Sequence, residues 1–225
     1  MSQVDMESVW ELVSRVSKSH PWHGVSIGPE APRVITAYIE IVPSDTMKYE
    51  LDKRTGHLKV DRPQRFSNIC PSLYGLIPRT CCGSRVASLC ASRTGKTDVV
   101  GDDDPLDICV IAEKSITHGD VLLEARPIGG LRMIDGDEAD DKIIAVMKGD
   151  GVYEGWLEIE HCPSALIERL KHYFLTYKDI PGSTHRKCEI AEVYGREEAY
   201  EVIRRSQEDY LLQYPSVDAL LTAAR

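Results

Sequence analysis

The sequence predicts one mainly-β (α+β) domain flanked by helices, on three observations. "RVITAYIEIVP" (33–43) alternates with a two-residue period, and "MKYELDKRTGHLKVDR" (47–62) has the chemistry of strand, turn and strand. In the last third of the chain the period changes to a helical spacing of apolar residues.

In order, Met6, Val9, Trp10, Val13 and Val16 are spaced for an amphipathic helix over about 5–17, and "HPWHGVSIGPEAP" is a Pro/Gly-rich connector. The first strand places Ile35, Ala37, Ile39 and Ile41 on one face and Val34, Thr36, Tyr38 and Glu40 on the other, and Pro43 ends it. In the hairpin, Gly56 supplies the positive φ that closes the turn at Lys53 to Gly56, and Lys48 and Glu50 share a face. Further strands are expected at 107–112, 120–126, 128–134 and 141–147. "PSALIERLKHYFLTYK" (163–178) is a helix stopped by Pro181-Gly182, and "REEAYEVIRRSQEDYLLQY" is a second helix over about 196–213, ended by Pro215. Residues 81–101, polar and rich in Gly, Ser and Thr, read as an inserted loop. "GKT" within it is not a P-loop, because Cys90 stands where that motif requires glycine. No linker divides the chain, so residues 1–225 are expected to form one domain with a barrel core over about 33–150.

A formal charge of −9 argues against a nucleic-acid binder or a membrane-surface protein, and no apolar run is long enough to span a bilayer. "MSQVDMESVWELVSRVSK" lacks the pattern of a secretory signal, and the seven irregularly spaced cysteines read as free thiols, so a reducing cytoplasm is the expected location. No C-x-x-C pair supports a zinc site.

The chemistry concentrates in acidic clusters. "VVGDDDPLDICVI" (99–111) sets Asp102, Asp103, Asp104 and Asp107 just before an apolar strand, and "DGDEADD" begins at Asp135. Converging carboxylates need cations, and oxygen ligands without His or Cys suit Mg²⁺, Mn²⁺ or Ca²⁺. An EF-hand fails on spacing, since Asp140 stands where its glycine is required. Lys48, Arg62, Lys142 and Lys178 interleave with these acids. Surface ion pairing would explain each singly; together they suit a site that binds metal and a multiply charged anion.

With these motifs in order, the chain resembles the soluble inorganic pyrophosphatases of family I. The resemblance runs from about Arg33 to Gly182 through "IEI" around Glu40, "KYELDKRTG" (48–56), "VDRP" (60–63), "YGLIPRT" (74–80), "GDDDPLD" (101–107), "RPIGGLRMIDGDEADDKIIAV" (126–146) and "HYFLTYKD" (172–179). It implies a small closed OB-like five-stranded β-barrel with additional hairpin strands and flanking α-helices. The implied reaction is hydrolysis of pyrophosphate to two orthophosphates with several Mg²⁺ ions, Mn²⁺ being a substitute, by a homo-oligomer. Position by position, Asp102, Asp107 and Asp140 match ligands of the principal metals, Asp135 a ligand of a further one, and Glu40 an outer contributor. Asp104 matches the residue that takes a proton from the nucleophilic water, and Glu50 an acid that orders Lys48. Lys48, Arg62, Tyr74, Lys142, Tyr177 and Lys178 match the phosphate-gripping set.

Cys70 stands where many members have tyrosine, which places a thiol near the site, and the 81–101 segment is longer than in compact members. Asp103 matches no family role and is expected to be solvated. The alternative class is an acidic metal-binding scaffold on the same barrel without catalysis, which fold alone allows. A nucleic-acid binder would want exposed aromatics on a basic face, against 7% aromatic residues and net −9 here.

Overall fold

The computed structural model describes residues 17–179 and 187–215. Residues 5–16 of the expected N-terminal helix and the Pro181-Gly182 stop lie outside them.

Strand β1 (Ile35–Ile41) is followed by the hairpin β2 (Met47–Leu51) and β3 (Leu58–Pro63), then β4 (Leu73–Leu76). Helix α1 (Ser84–Thr94) precedes β5 (Val100–Gly101), β6 (Asp107–Ile111), β7 (Val121–Asp135), β8 (Glu138–Ala139) and β9 (Lys142–Met147). Helix α2 (Ser164–Thr176), strand β10 (Cys188–Gly195) and helix α3 (Arg196–Gln213) complete the described fold. Neighbouring strands run β1-β4-β6-β9-β7, and β7 pairs again with β1, so five strands close a ring. All ring pairings are antiparallel except β6 with β9. This is the expected OB-like barrel, and β2–β3 forms a separate two-stranded sheet beside it.

The two-residue period decides the packing. Ile108 and Val110 of β6, with Ile143 and Ala145 of β9, join a core that includes Val86 of α1 and Val202 and Ile203 of α3. Their alternates Cys109, Ile111, Ile144 and Val146 join a second core with Ile167, Leu170 and Phe174 of α2. Strands buried on both faces lose the polar half of the alternation. The same holds in β1, where Tyr38 and Glu40, on the expected polar face, are 1% and 6% exposed. Its apolar face also divides: Ile35, Ala37 and Ile39 join the first core and Ile41 the second, across a register shift between Ile39 and Ile41.

Three expectations are corrected. Residues 81–101 are not a loop: 84–94 form α1, burying Val86, Ala87, Leu89 and Cys90, and Gly95 (φ +73°) ends it. The i, i+3, i+4 spacing of Val86, Leu89 and Cys90 was legible but masked by Ser and Thr on the exposed side. The strands expected at 120–126 and 128–134 are one, β7, with a register shift between Pro127 and Gly129. Pro127 lacks the N–H a regular ladder uses, so the bulge occurs there; β9 pairs across it, from Ala125 to Leu131, while the other edge of β7 passes from β1 to β10. Strand β10, unforeseen, exposes Ala191, Glu192 and Val193 in succession, breaking any alternation, and is held by its pairing to β7. The helix expected at 163–178 spans 164–176, and that expected over 196–213 has those bounds.

Candidate active site

At one end of the barrel the N-terminal edge of β6, the hairpin, the β7–β9 connection and the residues after α2 enclose a cavity of about 330 Å³. Its wall carries eight carboxylates (Glu40, Glu50, Asp102, Asp104, Asp107, Asp135, Glu138 and Asp140) against four ammonium groups (Lys48, Lys53, Lys142 and Lys178). Tyr49, Tyr74 and Tyr177 complete the polar lining. Of the residues given a site role from the sequence, only Arg62 is off this wall. It lies opposite Lys48 in the hairpin, 5.9 Å from the Tyr177 ring centroid, with Nη1 buried and unpartnered.

Each side chain has a local reason for its place. The β6–β9 register sets Asp107 beside Lys142, and the β4–β6 register sets Leu76 beside Asp107 and Tyr74 beside Cys109. The Lys142 ammonium donates to Asp107 (2.5 Å) and to Asp140, and the Tyr74 hydroxyl donates to Asp107 (2.5 Å). Pro105 ends the acidic loop, within which the Asp104 N–H donates to Asp102 Oδ1 at 2.9 Å. Asp103 takes φ +57° and points to solvent, as expected. In the hairpin, Lys48 donates to Asp61 (2.9 Å) and Glu50 (3.5 Å). Glu40 is fully enclosed and accepts the Leu51 N–H at 2.6 Å, tying β1 to the hairpin. Lys178, just past α2, pairs with Asp135 at the end of β7.

Burial and like charge define the electrostatics. Burial, reinforced by Asp140, pushes the Asp102 carboxyl up to about 8; burial and then Asp107 push Glu40 up to about 8. Asp140 is raised by burial, against the opposing pull of Lys142. Burial opposes the charge on Lys142, but Asp107 and Asp140 overcome it and hold its ammonium well above the usual range. Asp135 is likewise held low by Lys178 in spite of burial. Burial lifts Tyr177 to about 12 and also holds Tyr74 well above the usual phenol range, so both are hydrogen-bond donors at neutral pH.

Among the described residues no three His, Cys, Asp or Glu side chains are already gathered around one point; lysine ammonium groups stand between the acids. The donor set still fits hard divalent cations: oxygen only, in excess over the ammonium groups, and with Asp102 and Glu40 raised first by burial and then by neighbouring carboxylates.

Sequence reasoning missed Lys53 and Glu138. Lys53, at the hairpin turn, pairs with Asp104 across 51 residues of chain. Its carbonyl meets the His20 ring (3.2 Å), and Gly56 at φ +73° abuts the same ring. Nothing in a hairpin's own pattern announces that contact. Glu138, in β8, had a signal in the acidic run after Asp135. Cys70 lies wholly inside the second core, and burial lifts its thiol to about 12.

Barrel, cavity and charge pattern together make one enclosed polar site in which carboxylates and ammonium groups are interleaved. The chain belongs to the inorganic pyrophosphatase family: residues 37–211 match the family described as "Inorganic pyrophosphatase". It is 51% identical over 203 residues to the inorganic pyrophosphatase of Chlamydia caviae, covering 88% of this chain and 94% of that protein. It is 36% identical to soluble inorganic pyrophosphatase 3 of Arabidopsis thaliana, covering 91% of this chain and 85% of that one. The crystal structure of inorganic pyrophosphatase from Thermus thermophilus superposes with a TM-score of 0.70 at 27% identity, covering 84% of this chain and 98% of that one.

Proposed function

We propose that this cavity hydrolyses inorganic pyrophosphate to two orthophosphates, with several divalent cations, Mg²⁺ foremost and Mn²⁺ as a substitute. The observation that carries the reading is the wall itself, where carboxylates outnumber ammonium groups two to one yet stand interleaved with them. Asp102, Asp107, Asp135 and Asp140 would hold the cations, with Glu40 behind them. Bound there, such ions lower the pKa of water and screen phosphate charge.

The chain's own groups supply the rest. Asp104, on the half-exposed rim, takes the proton of the attacking water at a carboxylate oxygen, once its pairing with Lys53 opens. Lys48, Lys142, Lys178 and the Tyr177 hydroxyl grip phosphate oxygens and stabilise the charge on the departing phosphate. Arg62 stands behind the Tyr177 ring as a reserve cation for that set. Tyr74 fixes Asp107, and Glu50 orders Lys48.

We read residues 1–225 as one catalytic domain. Leu211 and Leu212, adjacent and exposed near the end of α3, support a homo-oligomer. Seven buried free thiols support a reducing, cytoplasmic setting, and among the described residues no helix is long and apolar enough to cross a membrane.

The test is orthophosphate release from pyrophosphate, with Mg²⁺ and with chelator, beside Asp104→Asn. Release that needs the metal and falls about 10²–10⁴-fold in the variant is expected. A folded protein that binds Mg²⁺ but releases no phosphate would overturn the reading in favour of a non-catalytic scaffold. Full activity in the variant would keep the reaction and remove Asp104 as the base.

A further inference from the structure

Helix α1 begins without a cap of its own. Gly83 precedes it and has no side chain to accept from the first-turn N–H groups, which have no partner within the helix. The acceptor comes from 126 residues away, on α3. Asp209 Oδ2 accepts the N–H groups of Gly83 (3.0 Å), Arg85 (3.0 Å) and Val86 (3.1 Å), and Oδ1 shares that of Arg85 (3.1 Å). Asp209 is 4% exposed, and a Cβ on Gly83 would come within 2.9 Å of its Cγ.

The segment between β4 and α1 has two edges, and they face different things. One edge is on α3 and the connector: the Cys81 N–H donates to the Ser206 carbonyl (2.8 Å), and the Trp22 indole donates to the Thr80 carbonyl (2.7 Å). The other edge is on the acidic loop. The Cys82 N–H donates to the Asp104 carbonyl (2.7 Å), and the Asp103 N–H donates to the Cys82 carbonyl (3.1 Å). Leu106 is held on both sides, its N–H by Thr80 Oγ1 and its carbonyl by the Ile77 N–H (2.9 Å each). Gly101 lies so close to the Cys82 carbonyl and Gly83 that no side chain fits between them. A single strand-width of backbone therefore joins the C-terminal helix to the loop that carries Asp102 and Asp104.

We propose that Asp209 is a positioning residue for the cavity: by fixing the start of α1 it fixes Cys82, and through Cys82 it sets where Asp102 and Asp104 stand. The inference rests on reading that loop as cation-holding and proton-taking. Asp209 touches neither substrate nor cation. It acts as the hydrogen-bonding partners behind metal ligands do, by removing alternative positions of the groups in front.

The test uses the full chain with Asp209→Asn, which keeps the shape and one carbonyl acceptor, Asp209→Ala, and Glu208→Gln as a control. Glu208 is the exposed neighbour that pairs with Arg85. Amide exchange at Cys82 and Asp103 and Mg²⁺ binding by calorimetry to chelator-stripped protein are measured beside kcat and KM. In Asp209→Asn, exchange at those two amides is expected to quicken by about 10-fold or more. Mg²⁺ affinity is expected to weaken by about 10-fold, with kcat falling more than KM rises. The control should move none of these. Should Asp209→Ala fail to fold, Asp209→Asn decides. Wild-type exchange and Mg²⁺ affinity in Asp209→Asn, with only the melting temperature lowered, would reduce Asp209 to a helix cap and overturn the proposal while the site reading stands. Failure of the wild-type protein to bind Mg²⁺ would overturn both.

Discussion

Asp140 and Asp141 are neighbours in sequence and belong to two different electrostatic regions. Asp140 lines the cavity beside Asp107, Lys142 and surplus carboxylates. Asp141, pointing the other way along extended backbone, is 2% exposed and faces the fully buried guanidinium of Arg132 at 3.9 Å. Arg132 also meets Glu198 (2.7 Å) and Glu192 (3.4 Å), and lies 5.0 Å from the Tyr194 ring centroid. The Tyr194 hydroxyl donates to Asp141 (3.2 Å), and Arg93 holds Glu198 from outside (2.8 Å). Burial pushes Asp141 up to about 7, with Arg132 pulling it back down. Both regions bury charge. In the Arg132 region each carboxylate has a guanidinium of the chain within ion-pair distance, whereas Glu40, Asp102 and Glu138 in the cavity pair with no cation among the described residues. Surplus charge with access from solvent, rather than burial alone, separates a site that receives ligands from an internal brace.

The sharpest way to break that distinction is Lys142→Met. If the cavity is the working region, kcat/KM for pyrophosphate falls about 10²–10³-fold, as for loss of one charge-stabilising donor, while the protein still folds. The mirror experiment is Arg132→Met. Removing one partner of a buried ionic network costs about 3–5 kcal/mol in a urea melt, and adding Asp141→Leu should restore part of it. If Arg132→Met left stability unchanged, the internal brace would lose its meaning. A third variant tests the surplus directly. Asp102→Asn removes one crowded carboxylate, so chelator-treated protein should gain about 0.5–2 kcal/mol of stability even as catalysis is lost.

The smallest effect concerns a half-buried aromatic cluster. His23 stacks on Trp22 (centroids 4.5 Å apart) and shares a hydrogen bond with the Tyr210 hydroxyl (2.9 Å). Burial, then the neighbouring His20 ring, lowers its pKa from 6.5 to about 4. As pH falls, the unfolded chain takes this proton first, so its contribution is intact above about 6.5 and is lost on the way down to about 4. His23→Gln should therefore flatten the fall in melting temperature across that window by a few degrees, roughly the shift that 1 kcal/mol gives a chain of this size. An unchanged slope would remove His23 from the acid response.

Much of this was legible in the sequence. The strand of residues 35–41, the hairpin around Gly56 and the two C-terminal helices follow from local periodicity and turn chemistry, which need no distant partner. Helix α1 and strand β10 were missed because each is completed from elsewhere. Asp209 caps α1, and β7 supplies the hydrogen bonds of β10. In the site, the acidic and basic positions were legible as chemistry and, through resemblance, as roles; the pairing of Lys53 with Asp104 was not, since a hairpin turn and a loop 51 residues on have no shared pattern.

The sequence by itself determined which groups were available: oxygen ligands without histidine, interleaved cations, and strands short enough to close on themselves. Only the tertiary structure decided which of those carboxylates converge and which are sealed away. Ring closure between β7 and β1 and the register of β6 on β9 bring positions as distant as 40 and 178 to one wall, while a two-residue period sends Asp140 to the cavity and Asp141 to Arg132. The physical reason is range: propensity acts over a few residues, whereas like-charge crowding and burial depend on distance in space.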